Sequence, residues 1–137
     1  MIFVSFASCK KYENGPAFSL MTKKARLANI WSVDTYFLNG KDKTTEYRQL
    51  VARDKLIIFQ SGEFEYSESS SWTWAAQYIG KWKFVNDKEE LEMTPDNSVL
   101  KTKTYKILRL KNKSLWLEER VSDDSLVEMH YLPNTEP

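Results

Sequence analysis

Residues 55–69 read KLIIFQSGEFEYSES, and this stretch decides the fold class. The residues before Ser61 are rich in Ile and Phe, and those after Gly62 alternate polar residues with Phe64 and Tyr66. Two strand patterns separated by a two-residue turn signal are typical of a β-hairpin. Because successive side chains of a strand point to opposite faces, Phe64 and Tyr66 share one face. The stretch therefore predicts antiparallel β-structure.

Strand patterns recur on both sides of this hairpin, and short polar turns separate most of them. We predict strands over residues 30–38, 55–60, 63–69, 81–86, 90–94, 102–110, 114–121 and 126–132. Strands joined in sequence order by short turns are typical of an up-and-down meander. An open sheet of about eight strands leaves exposed edges, so we expect closure into a small all-β antiparallel barrel. In the first strand, the alternation places Trp31, Val33, Thr35 and Phe37 on one face.

Two segments have helical spacing, and one remains ambiguous. We predict one or two helical turns over residues 22–28, with Thr22 as the N-cap. Residues 44–53 predict a second short helix, which either packs on the barrel end or acts as a lid over its mouth. Residues 67–78 are Ser-rich and then aromatic, and they either extend the hairpin or form a loop.

Composition excludes several classes of protein. The chain has 137 residues, enough for one domain that buries a core. Its 20 Lys and Arg balance 19 Asp and Glu, so we expect no nucleic-acid partner. It has one Cys and one His, so no disulfide within the chain is possible, and we expect neither a metal site nor a cofactor. No apolar run approaches the ~20 residues of a membrane-spanning helix, and we expect a monomer.

The amino-terminal residues resemble the end of a bacterial lipoprotein signal peptide. Phe6-Ala7-Ser8-Cys9 is similar to a lipobox, in which small residues precede a lipid-modified Cys. We therefore predict lipidation of Cys9, a signal segment at 1–9, a tether at 10–19 and a barrel at 20–137. The segment before Cys9 is short and has no Lys or Arg, so we expect translation to start further upstream. The alternative is a buried structural Cys on a short strand.

Several motifs resemble the bacterial lipocalin-like domain of small lipoproteins. The stretches that carry the resemblance are Leu27-Ala28-Asn29-Ile30-Trp31, Gly80-Lys81-Trp82-Lys83-Phe84 and the strand pair at 105–110 and 115–118. The resemblance covers about residues 20–132. It implies an eight-stranded barrel at the bacterial cell envelope, anchored by lipid to what we expect is the outer membrane. It also implies, more loosely, the binding of a small apolar molecule.

Two functions remain open from the sequence. In the first, the barrel binds or carries a small apolar ligand, and the candidate contacts are Trp31, Phe37, Phe64, Tyr66, Trp82 and Phe84. In the second, the same aromatic residues fill the barrel, and Trp72 and Trp74 contact a protein or glycan partner at its rim. The interior volume separates the two, because a ligand site requires a cavity of about 300 Å³ or more.

We do not expect an enzyme. His130 lies in the last predicted strand, on the same face as Glu128. No nucleophile pairs with it in a recognisable motif. Glu118, Glu119 and Glu128 are interpreted as a solvated face. No Gly-rich phosphate loop is present in the sequence.

Overall fold

The computed structural model describes residues 21–70 and 74–135. The predicted signal segment, with Cys9, and the predicted tether lie outside the described residues. The helices are α1 (Lys23–Leu27) and α2 (Thr44–Leu50). The strands are β1 (Ile30–Leu38), β2 (Lys41–Asp42), β3 (Arg53–Ile58), β4 (Glu63–Ser69), β5 (Trp74–Val85), β6 (Glu90–Pro95), β7 (Lys103–Lys111), β8 (Ser114–Ser122) and β9 (Ser125–Pro133).

Eight of these strands close into an antiparallel barrel. From β3 to β9, each strand pairs with the next along the chain, and β1 pairs with both β3 and β9. The short β2 pairs only with the end of β1 and lies outside this ring. The predicted all-β barrel is therefore confirmed, and each of its eight strands pairs with two neighbours.

The hairpin that decided the fold class is present, but its turn is longer than the predicted Ser61-Gly62 pair, because β3 ends at Ile58 and residues 59–62 connect it to β4. β3 and β4 pair in a register that places Ile58 opposite Phe64, and Gly62 takes the positive φ of 103° that the turn requires. β4 then pairs with β5 as far as Ser69, opposite Trp74, with a shift in register after Glu68. The ambiguous residues 67–78 therefore extend the hairpin on both sides of the undescribed residues 71–73.

β1 departs from the predicted alternation. Its register with β9 shifts between Val33 and Thr35, which marks a β-bulge. After the bulge, Tyr36 faces the barrel interior, whereas the ring of Phe37 lies 5.0 Å from the ring of His130 on the outer face. The prediction that Phe37 shares the inward face is therefore wrong, because an extra residue in a bulge reverses the alternation that follows it.

One end of the barrel is packed with apolar side chains, and we call it the closed end. Trp31 is fully buried there, and its Nε1 donates to the backbone oxygen of Leu27, at 2.8 Å. Trp82 Nε1 donates to the backbone oxygen of Phe59, also at 2.8 Å. α1 lies against this end, with Lys24 Nζ 5.9 Å from the Trp82 ring centroid.

Both predicted helices are present. The hydroxyl of Thr22 accepts from the N–H of Ala25, at 3.0 Å, so the predicted N-cap of α1 is confirmed. α2 lies between β2 and β3, at the end of the barrel opposite to α1, which we call the open end. None of the helices in the described residues is long and apolar enough to cross a membrane.

Candidate ligand-binding cavity

A cavity of about 380 Å³ occupies the open end of the barrel. Its walls come from α2, from every strand of the closed ring and from the loop between β6 and β7. Every tyrosine in the described residues lines it. These are Tyr36, Tyr47, Tyr66, Tyr78, Tyr105 and Tyr131. The interior is therefore not filled, and its lining is much richer in hydroxyl groups than a simple apolar pocket.

The tyrosine rings pack against each other around the cavity. Tyr47 on α2 stacks on Tyr36 of β1, with ring centroids 4.6 Å apart and ring planes 12° from parallel. The ring centroid of Tyr78 lies 5.4 Å from that of Tyr66 and 6.1 Å from that of Phe64, which it meets edge to face. Packed rings lose little conformational freedom when a ligand arrives, so this wall is preorganised.

The tyrosine hydroxyls remain neutral over the physiological pH range. Burial is the largest cause that raises the pKa of each of the six, and nearby carboxylates add to the effect. For Tyr66, the hydrogen bond to Glu68 raises the pKa further. Each neutral hydroxyl is able both to donate and to accept a hydrogen bond. The six tyrosines therefore present polar groups to the cavity without adding charge.

Charged groups also line the cavity, at its outer part. The hydroxyl of Tyr66 donates to Glu68 Oε1, at 2.6 Å. Glu119 pairs with Lys103, with 3.5 Å between Oε2 and Nζ, and Lys101 lies nearby on the loop side. Within the described part of the chain, Glu68 forms no ion pair. Glu68 lies on β4 and Glu119 on β8, and these two strands are on opposite sides of the barrel.

An ion pair fixes α2 over this end. Asp54 Oδ1 lies 2.9 Å from Arg48 Nη1 without hydrogen-bond geometry, so the contact is an ion pair. Asp54 Oδ2 accepts from the N–H of Val33, at 2.9 Å, and Arg48 Nη2 donates to the backbone oxygen of Val33. Burial raises the pKa of Asp54, and the hydrogen bond from Val33 and the adjacent guanidinium of Arg48 oppose that rise. The pair joins α2 to β1 and β3 beside Tyr47.

The structure separates the residues that we predicted as ligand contacts. Phe64 and Tyr66 line the cavity, and their role in binding stays a prediction. Trp31 and Trp82 belong to the packed core of the closed end. Phe84 meets Trp82 edge to face, with 5.3 Å between ring centroids, and so lies at the closed end as well.

The predicted rim residues are only partly placed. Trp74 is the first residue of β5, and its backbone lies at the open end, but its side chain is outside the described parts. Trp72 lies outside the described residues. The rim contact that we predicted for this pair stays a prediction.

His130 lies on the outer face of β9. Its ring stacks on that of Trp116, 3.8 Å away and 3° from parallel, and its Nε2 is 2.6 Å from Glu128 Oε2. A ligand in the cavity is separated from this imidazole by the barrel wall. Among the described residues, no cluster of His, Cys, Asp and Glu is suited to a metal ion.

Sequence reasoning missed five of the six tyrosines. Two of them had a readable signal. Tyr78 shares its strand face with Gly80 and Trp82, and Tyr131 alternates with the outward His130. Tyr36 was hidden by the bulge in β1. For the other two, Tyr47 and Tyr105, no local pattern distinguishes a cavity wall from a packed core.

Comparison with known proteins places this architecture in a class. No protein-family model matches the chain, and no curated protein is similar to it in sequence. A lipocalin-like protein from Bacteroides uniformis has a similar structure, with a TM-score of 0.60 over 80% of this chain and 99% of that one, at 15% identity. An uncharacterized protein from Bacteroides eggerthii is similar at a TM-score of 0.55, over 78% and 98% of the chains, at 14% identity.

The chain therefore has a lipocalin-like fold. The resemblance read from the motifs is confirmed at the level of the fold, and membership of the lipoprotein family stays a prediction.

Proposed function

We propose that this protein binds a small organic molecule in the cavity at the open end of its barrel. The observation that supports this most directly is the volume of about 380 Å³, which exceeds the ~300 Å³ typical of small ligand sites. A lipocalin-like barrel is consistent with such a role. Burial of apolar ligand surface against the rings supplies roughly 25 cal/mol per Å² before the costs of binding.

The lining refines the ligand that the sequence suggested. A purely apolar molecule leaves the hydroxyls and carboxylates of the wall without water or a partner, and unpaired polar groups oppose binding. We propose a ligand with an apolar or aromatic body and at least one polar group. The unfilled interior argues against the filled-barrel module. Binding without catalysis fits the position of His130 outside the barrel.

We also propose that the protein is anchored at the bacterial cell envelope through lipid on Cys9. Support comes from the lipobox-like residues 6–9. Met21 precedes α1 at the closed end, so a tether that enters there leaves the mouth of the cavity facing away from the anchor. A ten-residue tether spans up to about 35 Å. Loss of membrane association in Cys9→Ala, in cells that process the whole precursor, tests this anchor.

Native mass spectrometry of the gently purified full chain tests ligand binding. We expect a reproducible small-molecule adduct that is lost on denaturation. Leu100 lines the mouth and is 40% exposed, so Leu100→Trp narrows the entrance and should reduce the adduct. Val99, its neighbour, is 83% exposed and does not line the cavity, so Val99→Trp is the matched control. An adduct that is equally abundant in both variants would place the ligand elsewhere.

A further inference from the structure

We propose that the ligand of this cavity carries a positive charge, an organic ammonium group that lies beside Glu68 and against the faces of the tyrosine rings. The inference rests on the proposed function and names the chemical class of its ligand. It depends on three features of the open end: the aromatic wall, the carboxylate of Glu68 and the position of the lysines.

The aromatic wall favours a cation over an anion. The face of a tyrosine ring is the negative part of its quadrupole, so a cation within about 6 Å of the centroid is attracted. Tyr47 already accepts one such contact, since the guanidinium of Arg48 lies 5.1 Å from its ring centroid. Tyr66 and Tyr78 form a second pair of rings on the neighbouring strands β4 and β5. The faces of these rings replace part of the hydration shell that an ammonium group loses when it enters the cavity.

Glu68 supplies the counter-charge. Its Oε1 accepts the hydroxyl of Tyr66, which orients the carboxylate, and a carboxylate has more acceptor positions than this one bond uses. No cation of the described residues pairs with it, whereas the guanidinium of Arg48 is already paired with Asp54. A negative charge that lines a partly enclosed cavity without an ion pair is matched by a cationic ligand.

The lysines do not reverse this preference. Lys103 is 54% exposed at its side chain and pairs with Glu119, which is 15% exposed, so this pair is close to neutral. Lys101 is exposed at the mouth. Glu68 and Glu119 each raise the pKa of several of the tyrosines that line the cavity.

Three soluble probes of one shape test the charge. They are 4-phenylbutan-1-amine, 4-phenylbutan-1-ol and 4-phenylbutanoate, titrated into the full chain at low ionic strength and followed by NMR or calorimetry. We expect the amine to bind about tenfold or more tighter than the alcohol, which corresponds to ~1.4 kcal/mol, and the carboxylate to bind most weakly.

Two matched variants assign the effect to Glu68. Glu68→Gln should remove most of the amine's advantage while the alcohol's affinity stays the same. Glu65→Gln removes a charge from the exposed face of the same strand and should leave all three affinities unchanged.

Equal affinities for amine and alcohol, tighter binding of the carboxylate, or an amine preference that survives Glu68→Gln would each overturn the charge assignment. If the alcohol still binds and Leu100→Trp still weakens it, the proposed function stands without this inference. If none of the probes binds, the inference fails, and the native adduct decides the proposed function independently.

Discussion

At the scale of single residues, Gly80 permits the close packing of β4, β5 and β6. It lies opposite Phe64 on one side and Pro95 on the other. A Cβ atom at this position would lie 2.7 Å from Phe64 Cε1 and 2.8 Å from Pro95 Cα, and it would also meet the backbone oxygen of Thr94. Glycine is therefore required by space here, which gives a physical reason for the Gly80-Lys81-Trp82 motif.

We expect Gly80→Ala to lower the free energy of unfolding by about 1–3 kcal/mol, because an overpacked core must shift backbone to relieve such contacts. Equilibrium unfolding in urea measures the change. Gln77→Ala, at an exposed position of the same strand, should stay within roughly 0.5 kcal/mol of the parent protein. A Gly80→Ala protein as stable as that control would show that the neighbours move apart at little cost.

At the scale of elements, one ion pair joins the helix α2 to β1 beside its bulge. β1 pairs with β3 only at Ile30 and Trp31, so the peptide groups of Val33 lack a partner on that strand. Asp54 accepts from the N–H of Val33, and Arg48 donates to its carbonyl. The two side chains thus replace the missing ladder bonds and join α2 to the barrel wall.

This arrangement explains where sequence reasoning succeeded and where it failed. Strands and hairpins such as the one around Ser61-Gly62 were predictable, because alternation and turn chemistry are local. The bulge was not, because the alternation of β1 continues through it without a local signal, and the side chains that contact Val33 beside it come from residues 48 and 54 in other segments. Phe37 was consequently placed on the wrong face, and Tyr36 was missed as part of the cavity.

We expect Arg48→Met to lower the free energy of unfolding by about 3 kcal/mol at neutral pH, since it leaves the buried carboxylate of Asp54 unpaired. Burial already raises the pKa of Asp54, and loss of the guanidinium raises it further. In the folded variant, Asp54 therefore takes up a proton at a higher pH than it does in the unfolded chain. Lowering the pH towards ~3.9 should reduce the loss of unfolding free energy that Arg48→Met causes.

Urea unfolding of the parent protein and of Arg48→Met across pH 4–7 measures the difference between their unfolding free energies. Arg53→Met, which removes an exposed charge from the adjacent position, is the control and should show little deficit at any pH. A deficit in Arg48→Met that is constant with pH would mean that the lost packing of the side chain, and not the unpaired carboxylate, causes it.

At the scale of the whole molecule, the barrel has two chemically different ends. Trp31 and Trp82 fill the closed end with apolar packing, whereas all the described tyrosines gather around the open end. Sequence reasoning recognised aromatic residues as inward-facing, but it had no means of telling which end of the barrel each would reach. That depends on strand stagger and on the position of α1, which are properties of the closed sheet.

The tyrosine-lined end predicts a distinct alkaline transition. Because burial raises the pKa of the six tyrosines, the folded state keeps protons that the unfolded state loses above pH ~10. Stability is therefore fully present below pH ~10 and falls as the pH rises towards the folded-state pKa values. Each such tyrosine contributes a slope of up to about 1.4 kcal/mol per pH unit.

Tyrosinate absorbance and far-ultraviolet circular dichroism, recorded together during an alkaline titration, test this expectation. The titration uses the Tyr12→Phe variant, because Tyr12 is the one tyrosine outside the described residues. The tyrosinate absorbance then comes from the six tyrosines of the cavity alone. We expect the six tyrosines to ionise together with loss of the barrel signal, in one steep step above pH ~10. Ionisation near pH 10 with an intact barrel would show that water reaches the hydroxyls freely. The cavity would then be too open to enclose a ligand, so this titration also bears on the proposed function.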